Sequence, residues 1–256
     1  MTGLTSYSEA GFEHLRGFFS ETQLSSVEPI LSRFHERWLR DNQAFYETGA
    51  INSAYITHEK SLSRAERHTL FSFIADKKMM EVAASLIPDG PAFMNTQLFF
   101  DPVKPKQKNY WHRDIQYVPH SLEEQERRFN KSTVLHFRIP FVDEHGIDLI
   151  PGTHGRWDTE RELETRLSHN GRIPSNDLPN SQAIQLKRGD LLVFNANMIH
   201  RGLYGGDRFA FDIIFCDADP ELLRFVDPAS LPDSQEVEAL SRPDVFIATQ
   251  HALAGK

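Results

Sequence analysis

Cysteine is almost absent from this chain, since Cys216 is the single one in 256 residues. One cysteine excludes an internal disulfide and any zinc site built from several thiolates. Long apolar runs are also missing, so the sequence predicts no membrane-spanning segment. The N-terminal residues lack the basic-then-apolar pattern of a secretion signal. Together these absences predict a cytoplasmic protein without membrane contact.

Positive charge is in the minority, with 28 lysine and arginine residues against 36 acidic ones and a formal net charge of −8. This balance argues against a nucleic-acid partner. A composition of 39% hydrophobic and 25% charged residues is that of an ordinary globular protein with an apolar core. The sequence carries no internal repeat and no signal for the oligomeric state.

The first third of the sequence has helical hydrophobic periodicity. Apolar residues recur at helical spacing over Ser8–Phe19, and a longer stripe continues through Trp38. Thr22 or Ser26 would begin the longer helix, and Ser63–Glu66 is a capping box that begins a third one.

After Pro91 the pattern changes to short β-strands separated by turn residues. The predicted strands are Ala92–Phe100, Tyr110–Tyr117, Thr133–Val142, Ile147–Ile150, Ala183–Leu186, Leu191–His200 and Arg208–Phe215. Such strands favour a sandwich or jelly roll over a parallel sheet. We therefore predict one domain over residues 1–256, with a helical region (1–90) packed on a β-core (91–216) and a C-terminal tail (217–256).

Two long polar stretches interrupt the β-region, Ser121–Asn130 and Gly155–Ser181. Long excursions from a compact domain are typical of lids and binding loops. The first stretch directly follows the candidate site described next, so it is either a lid over that site or a merely solvated loop.

Three residues form a candidate metal site. His112 and Asp114 are spaced i, i+2, so on a strand they point to the same face, and His200 ends an apolar row of alternate residues. In a chain with 12 histidines the His-x-Asp spacing also arises by chance, so the spacing alone carries little weight. Two histidines and one carboxylate are nevertheless the ligand set that holds non-haem Fe(II) and leaves positions open, which points to an oxygenase.

If 2-oxoglutarate fills the open positions together with O2, its far carboxylate needs a cation, and arginine binds a carboxylate with both ends of its planar fork. Arg208 follows a hairpin-like turn after His200 and is the predicted anchor. Arg138 is the main competitor. Gln97 is a weaker candidate for a hydrogen bond to the same molecule, and His136 can equally be a core histidine.

The chain resembles the phytanoyl-CoA dioxygenase family of Fe(II)- and 2-oxoglutarate-dependent oxygenases. The likeness spans residues 8–216, and its motifs are Gly11–Ser20, Asn95–Phe100, Trp111–Asp114, Asp143–Gly146, Ile150–His154, Lys187–Asp190 and Ile199–Gly202. The resemblance implies a mainly β fold with flanking α-helices, namely a cupin-like double-stranded β-helix on which the N-terminal helical region packs. It also implies iron bound by His112, Asp114 and His200, and 2-oxoglutarate anchored by Arg208.

From the same resemblance we expect oxidation of a small-molecule substrate, with hydroxylation as the first expectation and with release of succinate and CO2. Two alternatives stay open at the level of the sequence. One is a cupin-type iron dioxygenase that uses no 2-oxoglutarate and needs no carboxylate anchor. The other is a β-sandwich binding protein whose histidine and aspartate residues are incidental.

Overall fold

Two antiparallel β-sheets form the centre of the structure, a computed structural model that describes residues 5–255. The strands are β1 (Phe12–Leu15), β2 (Asn52–Ala54), β3 (Ala92–Phe100), β4 (Val134–Pro140), β5 (Glu144–Leu149), β6 (Gln182–Leu186), β7 (Leu191–Asn195), β8 (His200–Gly202) and β9 (Phe209–Cys216). Within the described residues, the larger sheet has the order β1-β7-β4-β9-β3-β2 and the smaller sheet has the order β6-β5-β8.

The chain alternates between the two sheets. After β3 of the larger sheet, His112 forms a bridge with His200 at the edge of the smaller one, and β4 returns to the larger sheet. The antiparallel pair β5 and β6 belongs to the smaller sheet, β7 to the larger, β8 to the smaller and β9 to the larger. This winding is a double-stranded β-helix, and the predicted mainly β fold with flanking helices is confirmed.

Helices surround the sheets on the N-terminal and C-terminal sides. They are α1 (Thr5–Ala10), α2 (Glu21–Asp41), α3 (Gln43–Glu47), α4 (Arg64–Ile74), α5 (Lys77–Leu86), α6 (Leu122–Arg128), α7 (Glu160–Arg166), α8 (Pro220–Leu223), α9 (Ser234–Ala239) and α10 (Asp244–Ala254), with 3-10 turns at Asp114–Tyr117 and Pro228–Ser230. None of the helices over the described residues combines the length and apolar character that a bilayer crossing requires.

The period-two alternation of β4 separates the core from the inner face of the larger sheet. Leu135, Phe137 and Ile139 belong to the hydrophobic cluster shared with α2, α4, α5 and α10, whereas His136 and Arg138 line a cavity between the sheets. A second apolar cluster joins the inner faces of the two sheets and includes Phe12, Leu149 and Phe194. The cavity therefore lies on the inner face of the larger sheet, beside this second cluster.

The structure differs from two predictions for the first third of the chain. Residues 12–15 of the predicted helix Ser8–Phe19 form β1, because the edge of β7 offers them backbone partners in antiparallel register. The longer helix is capped by Ser20, rather than by Thr22 or Ser26, because Ser20 and Gln23 form a capping box there; the helix begins at Glu21 and contains Pro29. The capping box at Ser63 and Glu66 is present as predicted.

The segment after residue 216, which the sequence analysis treats as a tail, contains α8, α9 and α10 and packs closely on the rest of the molecule. Thr249 Oγ1 accepts a hydrogen bond of 2.8 Å from the backbone N–H of Phe93, at the beginning of β3. The ring of Phe246 lies edge-on to those of Phe71 and Phe93. These contacts make α10 part of the main hydrophobic cluster.

Candidate active site

The three predicted metal ligands converge at one end of the cavity. One ligand atom from each of His112, Asp114 and His200 lies within 4.8 Å of the others. The Asp114 Oδ1 atom is 3.7 Å from His112 Nε2 and 3.6 Å from His200 Nε2. Two imidazole nitrogens and one carboxylate oxygen at this spacing can bind one transition-metal ion from the same side.

The backbone that carries the ligands differs from the prediction. The predicted strand Tyr110–Tyr117 is limited to one bridge, in which His112 and His200 exchange backbone hydrogen bonds of 2.9 and 3.0 Å, and residues 114–117 form a 3-10 turn. The predicted strand Leu191–His200 is also broken, because residues 196–199 carry the chain from β7 to β8 in the other sheet. Because residues 196–199 cross between the sheets, residues 113–117 have no straight strand beside them with which to pair.

Hydrogen bonds set the tautomer of both candidate histidine ligands. His112 Nδ1 lies 3.2 Å from the Tyr110 carbonyl oxygen, and His200 Nδ1 lies 2.9 Å from that of Met198. Since a carbonyl only accepts, each Nδ1 carries the hydrogen and each Nε2 presents its lone pair to the site. Burial lowers the pKa of His112 and of His200, and the neutral form that results is the one that binds metal.

His136 holds Asp114, the third candidate ligand, in place. Its Nε2 lies 2.8 Å from Asp114 Oδ2, and its Nδ1 lies 3.0 Å from Asp212 Oδ2. Burial by itself would lower the pKa of His136, but the two carboxylates outweigh it and raise the pKa to about 9. Burial likewise would raise the pKa of Asp114, but the hydrogen bond from His136 lowers it, so the Asp114 carboxylate is ionised.

Arg138 and Arg208 both line the cavity but differ in their partners. Arg138 donates from Nε and Nη2 to the two oxygens of Asp212, at 2.7 and 2.8 Å. Arg208 is 2% exposed, and among the described residues its Nε and Nη1 atoms have no hydrogen-bond partner. Its guanidinium lies against Gly202, where an added Cβ would come 2.9 Å from both Nη atoms. A buried guanidinium with free donors is suited to a carboxylate ligand.

The route to Arg208 is not the predicted hairpin. The strands β8 and β9 belong to different sheets, so residues 203–208 cross from the smaller sheet to the larger one. Asp101 supports this crossing by accepting hydrogen bonds from the backbone N–H groups of Gly205 (2.7 Å) and Arg208 (3.1 Å). The crossing, rather than a hairpin register, brings the arginine beneath β8.

Gln97 lies in one row with Asp212 and Arg138 across three neighbouring strands of the larger sheet. It pairs with Asp212 across β3 and β9, and Asp212 pairs with Arg138 across β9 and β4. Gln97 lines the cavity, and its Oε1 lies 3.5 Å from Asn52 Nδ2. It is therefore placed to contact a ligand that reaches the floor of the cavity.

Arg113 points away from the metal ligands, as the strand spacing predicts, and is fully buried. It donates to the backbone carbonyls of Thr153 and Asn197 and lies 3.4 Å from the Asp158 carboxylate. Asp158 in turn accepts from Arg166 of α7. The polar stretch 155–181 thus supports the ligand segment from behind, and none of its described residues lines the cavity.

The cavity has a volume of about 660 Å³ and opens beyond the three ligands. Val118, His120, Arg128 and Lys131 line it, so the segment around α6 forms one of its walls. Tyr117 and Phe99 line it as well. Trp111 instead is fully buried and packs with Ile150, Leu178 and Ile199.

Sequence reasoning missed the partners of the site residues. Asp212, Glu144 and Gly202 were assigned no role, and His136 was left open as a core histidine. A signal was present, since His136, Arg138 and Asp212 are polar residues in strands that are otherwise apolar. Such residues are retained in a buried strand when they have partners across the sheet.

Comparison with solved structures supports the fold at low sequence identity. AviO1 from Streptomyces viridochromogenes Tue57 is 15% identical, with a TM-score of 0.57 over 90% of this chain and 96% of that one. HygX from Streptomyces hygroscopicus, solved with nickel and 2-oxoglutarate bound, is 13% identical, with a TM-score of 0.59 over 83% and 85%. EctD from S. alaskensis, solved with 2-oxoglutarate and 5-hydroxyectoine, is 18% identical, with a TM-score of 0.55 over 83% and 74%.

Among curated protein sequences, none matches this chain significantly. The family model described as phytanoyl-CoA dioxygenase (PhyH) matches residues 7–203 of the 256. This match covers more than half of the chain and includes the candidate ligands His112, Asp114 and His200, whereas Arg208 lies just beyond it. The chain therefore belongs to the phytanoyl-CoA dioxygenase family.

Proposed function

We propose that this protein hydroxylates, or otherwise oxidises, a small organic substrate and converts 2-oxoglutarate to succinate and CO2. As a member of its family the chain is an oxygenase that depends on iron and 2-oxoglutarate. The observation that carries the proposal is the convergence of three metal-ligand atoms beside a buried arginine with free donors, at the end of a cavity of substrate size.

His112, Asp114 and His200 would hold the iron, and Arg208 would bind the far carboxylate of 2-oxoglutarate. When bound, iron and 2-oxoglutarate would supply the oxidising chemistry; in a hydroxylation one atom of O2 ends in succinate and the other in the substrate. Gln97 would donate a hydrogen bond to 2-oxoglutarate from the same cavity floor. His136 would keep Asp114 oriented, as outer hydrogen-bond partners of metal ligands do.

Arg208 is the better anchor because Arg138 is already neutralised. The Nε and Nη2 groups of Arg138 already donate to the two carboxylate oxygens of Asp212. A ligand that took Arg138 would displace the fully buried carboxylate of Asp212 and leave it only the contact with His136, at a cost of about 3 kcal/mol. Binding at Arg208 instead would satisfy donors that have no partner among the described residues.

The direct test is succinate release from protein loaded with Fe(II) under anaerobic conditions and then exposed to O2, with and without 2-oxoglutarate. We expect succinate only with iron and 2-oxoglutarate together, and none from Asp114→Ala. The exposed Asp89 provides a matched variant, because Asp89→Ala removes a surface carboxylate that does not line the cavity. Absence of iron-dependent succinate from the wild type across a panel of substrates would count against the proposal.

The same experiment separates the two rival functions. A cupin-type dioxygenase without 2-oxoglutarate would consume O2 with its substrate alone and would stay active as Arg208→Ala. A binding protein would take up no stoichiometric iron, and Asp114→Ala would alter only its stability. The cytoplasmic location and the absence of a nucleic-acid partner stay predictions from the sequence.

A further inference from the structure

Two buried charged side chains meet behind the cavity without a hydrogen bond. Glu144 Oε2 lies 3.6 Å from Arg208 Nε, and the two side chains are 0% and 1% exposed. Within residues 5–255 neither oxygen of Glu144 has a hydrogen-bond partner, and the same holds for Nε and Nη1 of Arg208. A buried pair with unmet donors and acceptors is unfavourable, so the free donors of Arg208 stay available to a ligand.

The position of Glu144 results from a β-bulge. The pairing of β5 with β6 shifts register between Glu144 and Ile147, and Gly146 in the bulge has φ +80°. An added Cβ at Gly146 would lie 1.9 Å from the Ile184 carbonyl oxygen, so the bulge requires glycine there. The sequence thus maintains an irregular strand next to a buried carboxyl group.

The charged groups around Glu144 leave it one counter-charge. Burial raises the pKa of Glu144, Arg208 and Arg138 lower it, and Asp212 and Asp101 raise it. Arg138 is bound to both oxygens of Asp212, and Asp101 accepts from the backbone of residues 205 and 208. The neighbouring strand β6 has no titratable side chain. In the described structure, Arg208 is therefore the cation available to Glu144.

A carboxylate ligand at Arg208 would compete with Glu144 for that one charge. Two buried carboxylates beside a single arginine cannot both stay ionised without a large cost, and the usual result is that one of them binds a proton. A protonated Glu144 would remove the repulsion and would have an O–H group to donate.

We propose that Glu144 is a positioning residue that holds Arg208 before 2-oxoglutarate binds and takes up a proton when it binds. Arg208 then passes from Glu144 to the far carboxylate of the co-substrate. The inference rests on the proposed function, in which Arg208 is the anchor. It implies that co-substrate affinity falls as pH rises, by about tenfold per pH unit over the range in which one proton is taken up.

The test is calorimetric titration of 2-oxoglutarate into protein loaded with Ni(II). Titrations at one pH in phosphate and in Tris, which differ in ionisation enthalpy, give the number of protons bound. We expect the wild type to take up about one proton per 2-oxoglutarate, and Glu144→Gln to take up none and to lose the tenfold dependence on pH. Glu13→Gln is the control, because Glu13 on β1 also has a buried oxygen without a partner, whereas the ion pair with Arg208 is formed by Glu144.

Absence of proton uptake in the wild type would overturn the inference, even if Glu144→Gln does not fold. Uptake that persists in a folded Glu144→Gln would overturn it as well, because another group would then take the proton. Failure of the proposed function looks different. In that case 2-oxoglutarate would not bind the Ni(II)-loaded wild type, or its affinity would be unchanged in Arg208→Gln.

Discussion

Arg138 and Arg208 show how strongly the role of a residue depends on what its side chain already binds. Both guanidinium groups lie over the ring of Phe99, at 4.1 and 5.1 Å from its centroid. Asp212 occupies Arg138, whereas Arg208 faces only the unbonded carboxyl of Glu144 within the described structure. Two arginines on one cavity wall thus differ in their capacity for a ligand.

A substitution at Gly202 tests whether Arg208 anchors 2-oxoglutarate. In Gly202→Ala the added Cβ would lie 2.9 Å from the Nη atoms of Arg208, so the guanidinium must move, although the end of a flexible side chain can do so without unfolding the protein. We expect KM for 2-oxoglutarate to rise by about tenfold, the equivalent of one weakened charged hydrogen bond, with little change in melting temperature.

Gly155→Ala is the control for this variant, because its added Cβ would meet its nearest neighbour at 3.7 Å, an ordinary contact. KM should stay at the wild-type value there. An unchanged KM in Gly202→Ala would contradict the assignment of Arg208 as the anchor.

At the scale of elements, the C-terminal helices are fastened to α4 by a buried ion pair. Arg67 donates to both oxygens of Glu236 at 2.8 Å and to the Leu231 carbonyl at 2.7 Å. The Arg67 and Glu236 side chains are 6% and 4% exposed. A second pair, Arg64 with Asp233, joins the same two regions but is largely exposed. Burial therefore distinguishes two otherwise similar contacts.

We expect Glu236→Ala to lower the free energy of unfolding by about 3 kcal/mol, because it leaves the Arg67 charge buried without its partner. Burial would raise the pKa of Glu236, but Arg67 outweighs this and lowers it. The contribution is therefore full above the pKa of the unfolded chain and is lost as the pH falls through the lower folded value.

Urea unfolding at neutral pH and in acid measures both effects, and the difference between wild type and variant should shrink in acid. Arg64→Ala is the matched control and should change stability far less. An equal loss in the two variants, or a difference that grows in acid, would contradict the role of the buried pair.

At the scale of the whole molecule, the site joins parts of the chain that are far apart in sequence. His112 precedes β4, His200 begins β8, and Arg208 precedes β9, so the site exists only when both sheets are formed. Ligands that bind this folded arrangement and not the unfolded chain must stabilise the protein as a whole.

We expect Ni(II) to raise the melting temperature and 2-oxoglutarate to raise it further only when the metal is present. A ligand at 100 times its Kd adds about 2.7 kcal/mol. Asp114→Ala should lose the shift caused by metal, and EDTA should reverse it in the wild type. A metal-induced shift of equal size in Asp114→Ala would place the metal elsewhere.

The sequence predicted much of this protein because the relevant signals are local. Alternation of apolar residues identified most strands, with β3 correct to the residue, and the motif order identified the family. The three candidate ligands were named from their types and spacing, and the structure brings them together. Their binding of iron stays a prediction.

Tertiary structure alone decided which groups are free and which are paired. The chain is broken between β7 and β8 because it changes sheet there. Residues 12–15 have a helical pattern but form β1, because they pair with the edge of β7. Asp212 binds Arg138, which is 74 residues away in sequence. Because Asp212 is paired with Arg138, the donors of Arg208 stay free for a ligand. Periodicity shows which face a side chain takes, but pairing across strands determines which charge it meets there.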